Sequence, residues 1–190
     1  MGHRAPLQAR PVDMGLPSGT QWANFNVGAE KTEEPGLYFS WGNIVGHEAG
    51  EGYDFSQVAY NSSPAADIAT DLSMDQDAAR EYLGDRWRMP TAAEFQELYD
   101  NCTVVWTTLN GVNGRLFTSN VNGAWIFLPA AGVYNGTTLN NRGSEGLYWS
   151  STYLSATNAR LLYFNSSDIN PQNDDNRRLG FPVRAVLPPL

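Results

Sequence analysis

From Cys102 onward, apolar and polar residues fall into short runs that read as strands: VVWTTLNG, GRLFTSN, AWIFLPAA, GLYWSS, ARLLYFNSS and FPVRAV, separated by Asn- and Gly-containing turns. Near the start, VDMGLPSGTQWANFNVG reads as short strands around a Pro-Ser-Gly turn, and EPGLYFSWGNI as a further aromatic strand. Between these two regions the period changes. Ser73 and Gln76 have capping-box spacing, Ala78, Ala79, Tyr82 and Leu83 share one helical face, and Gly84 is a natural stop. A second helix is announced by Thr91 and Glu94 just after Pro90, with Phe95, Leu98, Tyr99 and Cys102 at i, i+3, i+4 and i+7. Residues 46–70 are rich in Gly, Ser and Ala, and predict a long irregular loop packed by Tyr53, Phe55 and Tyr60. The class is α+β: residues 1–11 read as a tail or linker and residues 12–190 as a single domain.

The stretch STYLSATNAR, residues 151–160, breaks the pattern, following neither helix nor strand period. In the ARLLYFN run that follows, alternation puts Leu162 and Phe164 on one face and Leu161, Tyr163 and Asn165 on the other. Two readings stay open. Either Leu161 and Tyr163 lie at the surface as an apolar contact patch, or the strand is buried on both sides. Next, SDINPQNDDNRR predicts a polar, turn-rich loop, which serves equally as a solvated connection or as a source of amide and carboxylate groups for recognition.

Composition narrows the function classes. The net charge is -8 with a single lysine, Lys31, so the clustered cations that a nucleic-acid backbone requires are missing. No run of about 18 apolar residues occurs, which argues against membrane insertion by this chain. Of the two histidines, His3 and His47, only His47 could serve a Ser-His-Asp arrangement, but no G-x-S-x-G elbow supports one and His47-Glu48 is not part of an H-E-x-x-H helix. Asp71, Asp75, Asp77, Asp85 and Asp100 are spread over helices and their ends, where carboxylates favour helix N-termini. Asp174, Asp175 and Asn176 lack the calcium-loop spacing, and Cys102 lies on an apolar face where thiols are inert. The expectation is no enzyme, no cofactor and no metal.

Taken in order and spacing, VDMGLPSGTQWANFNVGA, YFSWGN, GDRWRMPTAAEFQEL, IFLPAAG, GLYWSS, YFNSS and GFPVRAV resemble the Fibrobacter succinogenes major paralogous domain, from about residue 12 to residue 186. That family is similar to C-type-lectin-like domains of the formylglycine-generating-enzyme type, which include variable proteins diversified by retroelements. The resemblance implies a C-type-lectin-like fold with two helices, antiparallel strands whose N- and C-terminal segments pair, and long loops. It brings no catalysis, because the late cysteines of the oxidase branch have no counterpart after Cys102.

In retroelement-diversified members, adenines late in the gene are rewritten, often in AAC codons, which never yield Lys, Glu, Met, Trp or Gln. Residues 152–190 contain no Lys, Glu, Met or Trp, where even scattering would place about four. Gln172 departs from the pattern and reads as a fixed position. The resemblance implies a hypervariable ligand-binding surface formed by Thr152, Tyr153, Leu154, Ser155, Ala156, Thr157 and Asn158, then Arg160, Leu161 and Tyr163, then Asp168, Asn170, Asn173, Asp174, Asp175, Arg178 and Leu179. Arg184, beside the terminal strand, is assigned to structure. The partner expected is a protein or glycan on a cell surface, and the place of display a phage tail tip or a bacterial surface. A fixed-specificity adhesin or lipoprotein domain binding glycan is the alternative.

Overall fold

Thr91 and Glu94 form the box that their spacing predicts. The Thr91 hydroxyl accepts from the Glu94 N–H at 3.1 Å, and the Glu94 carboxylate accepts from the Thr91 N–H at 2.9 Å. They open one of two helices in a computed structural model that describes residues 8–57 and 68–190. The expectations placed on His3, Tyr60 and most of the tail fall outside those residues.

In chain order the elements begin with β1 (Pro11–Val12) and β2 (Gln21–Ala23), followed by α1 (Ala78–Leu83) and α2 (Ala92–Asp100). The hairpin strands β3 (Cys102–Leu109) and β4 (Val112–Ser119) lead to β5 (Trp125–Pro129), β6 (Val133–Asn135) and β7 (Thr138–Asn140). The late strands are β8 (Gly146–Tyr153), β9 (Asn158–Phe164), β10 (Ile169–Asn176) and β11 (Val186–Leu187). The class is α+β, strand-rich with two helices.

Helix α1 is shorter than its sequence signal. Ser73 and Gln76 bound only a 3-10 turn, and Asp77 caps the helix by accepting from the Arg80 N–H at 3.1 Å. The same carboxylate accepts from the Met89 N–H, so the cap also holds the segment that leads into α2. Tyr82 and Tyr99, which the helical period placed with the apolar faces, are 42% and 36% exposed. Cys102 is not a helical position. The helix stops at Asn101, whose side chain donates to the Glu97 carbonyl, and Cys102 begins β3. It is nevertheless buried, and burial pushes its thiol pKa up to about 11, so it is protonated and unreactive at neutral pH.

Among the described residues four antiparallel sheets form, in the orders β1-β2-β11, β3-β4-β5, β6-β7 and β8-β9-β10. Early and late chain meet where β11 pairs β2. The FPVRAV run extends that seam without being a regular strand throughout: Phe181, Val183 and Ala185 carbonyls accept from the N–H groups of Phe39, Val27 and Ala23. The EPGLYFSWGNI run, expected as a strand, makes only isolated bridges, Tyr38 to His47 and Phe39 to Phe181. The loop expected after residue 46 is irregular apart from one 3-10 turn in its described part, and Tyr53 and Phe55 pack it: Tyr53 stacks on His47, and Phe55 on Tyr134.

The β8-β9-β10 sheet separates two apolar clusters. Trp149, Ala159 and Leu161 face one with Trp41, Phe181 and Val183, whereas Tyr148, Leu162 and Phe164 face the other with Trp22, Phe95 and Leu98. Aromatic area on both sides clamps β9 in register.

Candidate ligand-binding surface

Strand pairing sorts the candidate residues before any side chain is considered. Asn173 stands opposite Leu161, Asp175 opposite Ala159 and Asp174 opposite Arg160. Neighbouring strand residues point to opposite faces, so Asn173 and Asp175 share the side of Leu161 and Tyr163, while Asp174 shares that of Arg160. SDINPQNDDNRR is therefore mostly a strand, β10, and not the loop its polarity predicts. Pairing with β9 specifies it, with a register shift between Asn170 and Asn173.

Leu161 is a correction to the candidate set. It is fully buried between Trp149 and its neighbours, so it supports the surface from within and touches no ligand. Of the two readings of this strand, burial on both sides holds for Leu161, Leu162 and Phe164. Tyr163 alone is half-buried, at the open end of its face.

Tyr163, Asn173, Asp175 and Leu179 line one cavity of about 380 Å³, completed by Val133, Asn135, Asn140, Asn141, Glu145 and Leu147. The Tyr163 hydroxyl donates to Glu145 Oε1 at 3.0 Å and accepts from Asn165 Nδ2 at 3.1 Å, while Asn141 Nδ2 donates to Glu145 Oε2. An apolar floor of Val133, Leu147 and Leu179 with amides and carboxylates around it suits oriented binding through hydrogen bonds. No family model, no curated protein and no solved structure matches the chain.

The other candidates do not join that cavity. Thr152 Oγ1 accepts from the Ala92 N–H at the start of α2, and the Tyr153 N–H donates to Asp71. Leu154, Ala156 and Thr157 form an exposed crown between β8 and β9, with Ser155 Oγ accepting from the N–H groups of Thr157 and Asn158. Asn158 donates to Asp174, and Arg160 donates to the Gln172 carbonyl, both on the face turned from the cavity. Asp168 and Asn170 lie exposed around the start of β10, and Arg178 is half-buried after its end. Gln172, read as fixed, sends its side-chain amide to the Ala92 carbonyl at 2.7 Å, tying β10 to α2.

Sequence reasoning missed two groups. The β6-β7 side of the cavity was overlooked because candidates were sought only after residue 151; the asparagine clustering in YNGTTLNN was its available signal. Arg177 was absorbed into a polar run. It is 3% exposed, sits 4.7 Å over the Trp41 ring, and donates to the carbonyls of Ile68, Ser155 and Ala156, fastening the crown from below.

Burial pushes the Asp175 carboxyl above the usual carboxylate range, opposed by the Asn176 N–H and reinforced by Asp174 and Glu145. With the folded pKa above the unfolded one, the native state carries a cost once Asp175 ionises, and none below the unfolded pKa. Asp175→Asn is therefore expected to raise the melting temperature at neutral pH, with the gain fading as pH falls through the folded pKa. Thermal unfolding of both proteins at pH 7 and about pH 3 measures this; an equal gain at both would refute the electrostatic account.

The hydroxyl–carboxylate pair of the cavity is Tyr163 with Glu145. His47 lies elsewhere, bonded to Glu51 and stacked on Tyr53. Among the described residues no group of three or more His, Cys, Asp or Glu side chains is placed to hold a metal, and no helix is long and apolar enough to cross a membrane.

Proposed function

We propose that this chain is a non-enzymatic ligand-binding domain of C-type-lectin-like fold, whose C-terminal segment is a recognition surface diversified by a retroelement. One observation carries the reading: in residues 152–179 the main chain is held by sheet pairing and buried anchors, while many of the side chains open to the cavity or to solvent. Replacing solvent-facing side chains on such a frame changes stability by only about 0.5 kcal/mol or less, so recognition can change while the core does not. The residue bias of residues 152–190 supports the same reading, as does the tethering role of Gln172, the residue outside the AAC-derived set. The partner is a protein or glycan on a cell surface, and the domain is displayed on a phage tail tip or a bacterial surface.

The test is genetic. A nearby template copy of the segment, differing only at adenines and accompanied by a reverse transcriptase gene, is expected. Differences spread over all four bases would overturn the diversification.

A second reading, a fixed-specificity adhesin or lipoprotein domain that binds glycan, is favoured by the amides of Asn135, Asn140, Asn141 and Asn173 around Tyr163. It requires a glycan-array signal that Tyr163→Ala and Asn173→Ala both abolish, with no template copy in the locus.

A further inference from the structure

The turn between β9 and β10 is pinned from the β3-β4-β5 sheet by an arginine. Ile169 stands opposite Phe164, and the two pack with Phe95 and Leu98, on the side of β9 turned from the Tyr163 cavity. Arg115, in the middle of β4, is 8% exposed, and its Nε and Nη2 both donate to one acceptor, the Asn165 carbonyl, at 3.1 and 2.8 Å. Nothing bonds to its Nη1 among the described residues, and no carboxylate stands within ion-pair distance of the guanidinium. The side-chain atom that is both buried and without a partner is Trp22 Nε1, so Arg115 Nη1, with its two N–H donors, is reached from outside.

Arg115 lines a cavity of about 510 Å³, in which Cys102, Val104 and Ile169 form an apolar wall and Asp100 and Ser167 are polar. These surroundings sort ligands by charge. A guanidinium short of an acceptor calls for the oxygens of an anion. Asp100, however, belongs to the last turn of α2, where the helix dipole is negative. Burial lowers the Arg115 pKa, opposed by Tyr99 and by Asp168 in the β9-β10 turn, so a second carboxylate acts on the same place. A bare anion is repelled by Asp100 and Asp168, and a bare cation by Arg115. A ligand that carries a carboxylate and an ammonium together satisfies both.

We propose that this cavity binds a free α-amino acid with an apolar side chain. Its carboxylate takes the Arg115 Nη1 donors and the Ser167 hydroxyl, its ammonium turns to Asp100, and its side chain lies against Cys102, Val104 and Ile169. Asp100 Oδ1 accepts from Gln96, which leaves Oδ2 for the ammonium. Only Ser167 and Ile169 of this set lie beyond residue 152, so the proposal stands whether or not the late segment is diversified.

The test is calorimetric titration of the full chain with L-leucine, and the expected result is saturable binding at one site, shifting amide resonances within residues 99–104 and 165–169. N-acetyl-L-leucine, which lacks the ammonium, L-leucinamide, which lacks the carboxylate, and sulfate are each expected to bind at least about tenfold more weakly. Asp100 is exposed, and Asp100→Asn keeps the acceptor for Gln96, so the variant folds. It is expected to weaken leucine about tenfold and to tighten N-acetyl-L-leucine, a crossing that loss of structure does not produce. Absence of saturable leucine binding overturns the proposal, as do sulfate or N-acetyl-L-leucine bound as tightly as leucine, amide shifts confined to other residues, or an affinity for leucine indifferent to Asp100→Asn.

Discussion

Arg184→Ala is expected to cost about 3–5 kcal/mol, a large fraction of the roughly 5–15 kcal/mol that holds an ordinary domain folded. The side chain is fully buried, with Nε donating to Asn26 Oδ1 at 2.8 Å and the two terminal nitrogens to the carbonyls of Phe127 at 2.7 Å and Ala23 at 3.2 Å. Asn26 carries the network onward to the Pro35 carbonyl and the Tyr148 hydroxyl, which itself donates to the Pro129 carbonyl. Early, middle and late segments therefore converge on one guanidinium.

The arrangement is costly as well as cohesive. Burial pulls the Arg184 pKa down to about 10, with Tyr148 partly opposing the shift, so the charge is retained at neutral pH but disfavoured by on the order of 3 kcal/mol. Deleting the side chain relieves that cost, but takes a donor from three buried acceptors, of which the Phe127 carbonyl keeps only a long bond from Thr32 Oγ1 at 3.4 Å, at about 1–3 kcal/mol for each one left unsatisfied, and leaves a cavity, so destabilisation wins. Urea denaturation provides the measurement. A midpoint unchanged in Arg184→Ala would mean that the network contributes nothing net.

For Arg177→Ala the expected loss is about 2–4 kcal/mol, and it is accompanied by a local change that Arg184→Ala would not produce at matched stability. Removing the guanidinium takes a cation from the face of Trp41, worth about 0.5–2 kcal/mol, and leaves the carbonyls of Ile68, Ser155 and Ala156 short of a donor. Residues 154–157 should then exchange their amide hydrogens much faster while β8 and β9 remain protected. Arg177→Lys should fall between, because an ammonium can rest on the indole but lacks the planar fork that reaches several carbonyls. Exchange by mass spectrometry decides the matter; protection of the crown that survives in Arg177→Ala would show that it is held by its own turn hydrogen bonds.

How much of this was readable in the chain depends on the range of the forces involved. The α2 box needs only residues 91 and 94 and was read correctly, as was the structural role of Arg184 at the terminal segment. Leu161 was ambiguous because its own alternation leaves apolar groups on both faces. What buries its side comes from Trp41 and from Phe181 and Val183, which no local period reveals. Strand β10 failed for a different reason: INPQNDDN has no apolar rhythm, and its extended form follows from β9 beside it. Arg177 carries no signal at all until Trp41 is brought beneath it.

The pleat of β9 sets a limit on inventiveness. Ala159, Leu161, Leu162 and Phe164 are all at most 1% exposed, so within this strand novelty has room at Asn158, Arg160 and Tyr163, while the rest of the supply lies in the crown and along β10. Permitted positions form a comb whose teeth are separated by positions that tolerate almost nothing. If the stretch is diversified as proposed, the substitutions that survive would fall at the teeth and carry their spacing as a signature.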